Sequence, residues 1–194
     1  MSPVRTLFIS LLVVSGTATN ARAQFPGLGG STRPISLVIS GGLTVPIAEF
    51  ADKHDGMGFH YDASLLLNIP GFPIALRPEF SLTQFKWQGF PPGGGTIDGT
   101  TQMIAGMANI EVPLGAGLYA LAGGGILSVT RESNASSEDR SASKFMFDVG
   151  AGFRIPLGSM HGFIEARFGA ASYDQQKVGF SKAQFIPVTF GLVF

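Results

Sequence analysis

From Ile35 to Phe194 apolar and polar residues alternate with a period of two, segment after segment. That is the period of a strand, whose successive side chains point to opposite faces. In Gly58–Asn68, Phe59, Tyr61, Ala63, Leu65 and Leu67 face away from His60, Asp62, Ser64, Leu66 and Asn68. In Ile74–Thr83, Leu76, Phe80 and Leu82 oppose Arg77, Glu79, Ser81 and Thr83, and in Thr101–Val112, Ile104, Ala108, Ile110 and Val112 oppose Thr101, Asn109 and Glu111. Phe145–Ile155 sets Phe145, Phe147, Val149, Ala151, Phe153 and Ile155 against Asp148, Gly150, Gly152 and Arg154; Ile164–Ser172 sets Ile164, Ala166 and Phe168 against Glu165 and Arg167. Ile35–Val45 opposes Ile35, Leu37, Ile39, Leu43 and Val45 to Ser36, Ser40 and Thr44, and Gln184–Phe194 opposes Ile186, Val188, Phe190, Leu192 and Phe194 to Thr189 and Gly191. In the Gly-rich Leu118–Thr130 the apolar face is read as Tyr119, Leu121, Leu127 and Val129. The alternation breaks at Phe85 and Met103, which stand on polar faces. The set amounts to about eight strands of roughly ten residues, the length a tilted strand needs to cross hydrocarbon.

The connections alternate as well. Residues 69–73, 113–116 and 156–161 are tight turns rich in Pro and Gly, while Pro46–Met57, Gln88–Asp98, Arg131–Ser143 and Tyr173–Ala183 are longer and more polar. Long and short connections in strict succession are the pattern of an all-β, eight-stranded antiparallel up-and-down transmembrane barrel.

Charge decides which face looks outward. Charged residues make up only 13% of the chain, about half the usual share of a soluble domain. Yet Asp62, Arg77, Glu79, Glu111, Asp148, Arg154, Glu165 and Arg167 sit mid-strand, where a soluble protein places its oily core. Inverting the faces accounts for them: apolar side chains meet lipid, and charges of both signs pair inside. Eight strands enclose about the width that side chains can fill, so the interior is expected to be plugged. Phe59, Tyr61, Phe145 and Phe147 next to long loops, and Tyr119, Phe153, Phe190 and Phe194 next to short turns, are expected to form two aromatic belts.

The first 23 residues read as a signal peptide, with Arg5, an apolar run from Leu7 to Val14, and Ala21 and Ala23 as the small residues of a cleavage site. Residues 24–34, rich in Gly and Pro, form a flexible lead-in, and residues 35–194 the barrel domain. Lys+Arg 13 balances Asp+Glu 13, which argues against a nucleic-acid partner, and a chain without cysteine has neither a disulfide nor a thiolate site.

The last strand, Val188-Thr189-Phe190-Gly191-Leu192-Val193-Phe194, resembles the insertion signal of outer-membrane proteins, with Phe190, Gly191, Leu192 and Phe194 carrying the likeness. From about Ile35 to Phe194 the chain resembles the small outer-membrane barrel superfamily of OmpX-like, OmpA-barrel-like and opacity-type proteins. The resemblance implies export to the outer membrane of a diderm bacterium, insertion by the barrel-assembly machinery, a boundary of outer-membrane lipids, and surface-exposed loops in cell-envelope contacts with an unknown ligand. With no peptidoglycan-binding segment after Phe194, the anchoring role of full-length OmpA-type proteins is not expected.

Candidate chemistry is sparse. His60 and Asp62 share a strand face with Ser64, which a polar barrel filling explains as well as an active site does. His161 beside Ser159 belongs to a turn, and His54 near Asp52 and Asp55 to a charged loop. Gly150-Ala151-Gly152 lacks the third Gly of a dinucleotide fingerprint, and Gly93-Gly94-Gly95 lacks the Lys of a phosphate loop. The sequon Asn134-Ala135-Ser136 means little if the source is bacterial. No reaction, metal or cofactor is expected. The alternatives are a lipid-modifying barrel enzyme built on His60, or a narrow porin-like pore.

Overall fold

The computed structural model describes residues 33–54, 56–89, 96–133 and 136–194. The leader with Ala21 and Ala23, and all but the end of the lead-in, lie outside them. Eight strands follow: β1 Ile35–Pro46, β2 Gly58–Asn68, β3 Ala75–Gly89, β4 Ile97–Gly115, β5 Leu118–Ser133, β6 Ser136–Leu157, β7 Met160–Ser172 and β8 Lys182–Val193. Each pairs antiparallel with its neighbours in sequence, and β1 pairs with β8 to close the barrel. Closure leaves no sheet edge in the spanning part, so every strand there has a partner on both sides.

The two faces are inverted relative to a water-soluble barrel. Phe190 is 62% exposed and Phe80 58%, whereas Arg77 is fully buried and Glu165 is 1% exposed. The outward residues of β4 from Ile104 to Leu114 rise about 25 Å, taking about 3.3 Å per residue and a tilt near 40°, which matches the apolar band of a membrane barrel. Outside water this band would be stable only against acyl chains. Phe59, Tyr61, Phe145, Phe147, Phe153, Phe190 and Phe194 all point outward, as the belts require.

Three expectations need correction. In β5 the faces are reversed: Tyr119, Leu121, Leu127 and Val129 are buried inside the barrel, and Leu118 and Ile126 face out. Tyr119 therefore leaves the aromatic belt. Its ring lies over Gly152, where an added Cβ would come within 2.3 Å of the phenol oxygen, so the strand pair admits no side chain there.

Second, β3 to β6 are longer than one crossing, at 15, 19, 16 and 22 residues, while β1, β2, β7 and β8 have 11 to 13. The polar stretch Arg131–Ser143 is largely ribbon rather than loop, with Arg131 opposite Arg140. One side of the barrel thus rises above the other as a wall. In that wall β6 meets β7 only from Met146 onward, and β3 meets β2 only as far as Gln84. Third, the long connections at residues 46–57 and 173–183 are not open loops. Each holds a short helix, the 3-10 helix Ala48–Lys53 and α1 Gln175–Val178.

Candidate functional site

The barrel interior is layered. At the short-turn end Val38, Leu66, Ala75, Phe163 and Val193 form an apolar floor. The ionic layer lies above it. At the long-loop end Phe85, Met103, Ala105, Met107, Leu127, Val129, Met146 and Phe185 form a second apolar layer. Phe85 and Met103 break the polar pattern because they belong to this layer.

All eight charged residues singled out from the sequence meet inside. Arg77, projecting from β3, donates Nη1–H to Glu165 Oε2 at 2.7 Å and Nε–H to Ser64 Oγ at 2.9 Å. Its Nη2 lies 3.7 Å from Asp62 Oδ1 and 3.6 Å from Glu79 Oε2. Arg167 on β7 donates to both oxygens of Glu79 at 2.8 and 2.7 Å, to Glu165 Oε1 at 2.6 Å and to Asp148 Oδ2 at 3.1 Å. Arg154 grips both oxygens of Glu111 at 2.6 Å and stacks on the Tyr119 ring at 4.4 Å. Such bidentate, charge-assisted bonds are the strong ones, and in a dry interior they are needed to offset desolvation.

Two members of this network escaped the sequence reading. Tyr119 donates its phenol proton to Glu165 Oε2 at 2.7 Å, and Ser40 donates to Asp62. A tyrosine beside a glycine-rich run carries a polar handle that needs a buried partner, and that was the available signal. His60 binds Thr83 Oγ1 through Nδ1 at 2.7 Å, with Nε2 3.7 Å from Asp62 Oδ2. His60, Asp62 and Ser64 are thus parts of the packed interior, not a separate rim cluster. Between the ionic and upper apolar layers lies a cavity of about 20 Å³.

Over the upper layer sits a stopper made by the two short helices. Phe50 from the 3-10 helix meets Phe85 edge-on at 5.3 Å and Phe180 at 5.0 Å, with Val178 and Tyr173 packed alongside. Ties on each side hold it down. Ser181 donates its backbone N–H to Glu49 Oε1 at 2.9 Å and its hydroxyl to Oε2, which holds the Glu49 carboxyl below its ordinary pKa. Tyr173 donates to Leu127 O at 2.8 Å, and burial pushes its phenol pKa up. His54 is buried rather than part of a solvated loop: its ring packs on Phe50, Nδ1–H donates to Phe50 O at 2.8 Å, and Nε2 meets Thr101 Oγ1 at 2.9 Å. Phe50, Val178 and Phe180, apolar residues inside stretches read as polar, were the signal for this stopper.

The last-strand residues Phe190, Gly191, Leu192 and Phe194 lie at the seam between β8 and β1. Phe190, Leu192 and Phe194 point outward, Gly191 sits opposite Ser40 and Phe163, and Phe194 N–H donates to Leu37 O at 2.9 Å. His161 lies opposite Val193 at the start of β7.

No protein-family model matches the chain, and no curated protein matches it. Solved structures do match. The attachment invasion locus protein Ail of Yersinia pestis, in complex with the heparin analogue sucrose octasulfate, is 18% identical, with 84% of this chain and 100% of Ail covered at a TM-score of 0.57. Neisserial surface protein A is 10% identical, with 83% of this chain and 96% of that protein covered at a TM-score of 0.56. The inverted faces, the closed sequential topology and these likenesses agree: the chain has the fold of the small eight-stranded outer-membrane β-barrels.

Proposed function

We propose that this protein is an integral outer-membrane barrel with a plugged interior, acting without catalysis in envelope structure or surface contacts through its long-loop end. The observation that carries the reading is the division of labour within the molecule. The lumen is filled by ion pairs between two apolar layers and stoppered by Phe50 and Phe180, while the β3–β6 wall rises beyond it. A conducting role finds little support in so small a residual cavity. His60 supports no lipid chemistry, since it lies beneath the stopper with one ring nitrogen held by Thr83. The long-loop end is read as the cell exterior, the short turns as periplasmic, and Phe194 with its strand as the segment recognised by the assembly machinery.

Membrane fractionation combined with heat-modifiable gel migration tests location and closure together. The protein should fractionate with outer membranes and migrate faster unheated than boiled. Single-channel recordings on the purified barrel should show no steady large conductance, and His60→Ala should leave the lipid profile of the host unchanged. A steady open pore, or a changed lipid profile, would replace this reading with one of its rivals.

A further inference from the structure

We propose that the cavity at the centre of the barrel is a binding site for one soft monovalent cation, of the Cu(I) class, held by the thioethers of Met107 and Met146 and by Nε2 of His60. Four observations converge on it. The first is the donor set: Met103, Met107, Met146 and His60 all line this one cavity. Thioether sulfur and imidazole are the ligands that select soft ions.

The second is where the strands place the two methionines. Met107 on β4 and Met146 on β6 both stand in register with Gly125 on β5 between them. Gly125 has no side chain to separate them, and an added Cβ there would lie 2.8 Å from Met107 Sδ. His60 comes from β2, on the far side of the closed barrel, with Nδ1 engaged by Thr83 and Nε2, 3.7 Å from Asp62 Oδ2, left without a hydrogen-bonding neighbour closer than that carboxylate among the described residues. Metal-binding histidines are oriented in this way, the second ring nitrogen fixed by a neighbour so that the first faces the ion.

The third is charge. The buried ionic layer holds five carboxylates, Asp62, Glu79, Glu111, Asp148 and Glu165, against three guanidiniums, Arg77, Arg154 and Arg167. A deficit of positive charge in a dry interior is costly, and one cation reduces it. Arg167 also faces the cavity, but its charge is already taken up by Glu79, Asp148 and Glu165. The fourth is Asp148, which lines the cavity at 5% exposure and whose Oδ1 has no hydrogen-bond partner among the described residues. The volume of about 20 Å³ suits a single ion or water. Zinc and calcium are poorly served: the two carboxylates at the cavity, Glu79 and Asp148, are bonded to Arg167, and His60 is the one imidazole among the described lining residues.

Silver(I), redox-inert and of the same ligand preference, is the probe. The full barrel, with methionine methyl groups carrying carbon-13, is titrated with silver nitrate in chloride-free buffer, both after folding and by refolding with the ion present so that the stopper cannot hide the site. The methyl signals of Met107 and Met146 should shift at one equivalent, while exposed Met57 should not move at that stoichiometry. Met107→Leu and Met146→Leu, which keep the packing volume, should abolish the one-equivalent transition, and Thr83→Val should weaken it about tenfold. Met57→Leu should leave it intact. Shifts confined to Met57 and Met160, no shift under either protocol, or an unchanged transition in the folded Leu variants would each overturn the proposal, as would equal displacement by sodium, which would mark the cavity as a hard-ion or water site.

Discussion

At the scale of single residues, the pairing inside the barrel sets what a substitution costs. Arg77 faces Glu165, Glu79, Asp62 and Glu111 with no access to water, so Arg77→Met leaves Asp62 without a guanidinium and takes one of two from Glu165, Glu79 and Glu111. The expected loss is about 3–5 kcal/mol, as for breaking any buried pair from one side, read as a lower urea midpoint of the folded band on unheated gels. Tyr119→Phe removes one hydrogen bond to Glu165 and should cost about 1.5–3 kcal/mol by the same assay. Outward Phe80→Leu, which stays apolar toward lipid, should change little. The eight interior charges were legible from sequence because a charge in mid-strand has few places to go. The β5 face was not legible, since Gly123, Gly124 and Gly125 erase the alternation and Tyr119 and Leu121 look like belt residues. They turn inward because the lumen has apolar as well as ionic layers.

At the scale of elements, the 3-10 helix and α1 behave as one stopper. Its hold depends on Glu49, whose pKa is lowered by the Ser181 hydrogen bonds in the folded state. A carboxyl with a depressed pKa contributes stability that is fully present above its unfolded value and lost as pH falls through the folded one. The hydrogen-exchange protection of Ser181 N–H, taken relative to the intrinsic rate at each pH, should therefore stay high at neutral pH and fall in acid below the ordinary carboxylate range. Glu49→Gln should flatten that dependence. Phe180→Ala removes the ring that joins Phe50 to Tyr173, so proteolysis in residues 173–181 should speed up while the barrel keeps its heat-modifiable shift. Short helices within loops carry too few residues for a period to show in the sequence. The strand extensions in β3 to β6 were hidden for a different reason: polar residues stand on both faces there, and such a stretch reads as loop.

At the scale of the whole molecule, one inversion organises everything else. A closed sheet satisfies its own backbone, so lipid can take the apolar face and the lumen is left to solve the problem of buried charge. The number of strands, their order and the outward faces of seven of them followed from period-two patterning and the succession of turns. Residues 1–32, with the expected leader, stand apart from what the structure describes.

The chain has no cysteine, so single spin labels can be placed along β4 without background. Labelled positions 104 to 112 in lipid vesicles should give oxygen accessibility that rises at Ile104, Gly106, Ala108, Ile110 and Val112 and falls at Ala105, Met107, Asn109 and Glu111, with little access for a water-soluble nickel chelate at either set. High chelate access at the Ile104 and Ile110 positions, with high oxygen access at the Asn109 and Glu111 positions, would contradict it.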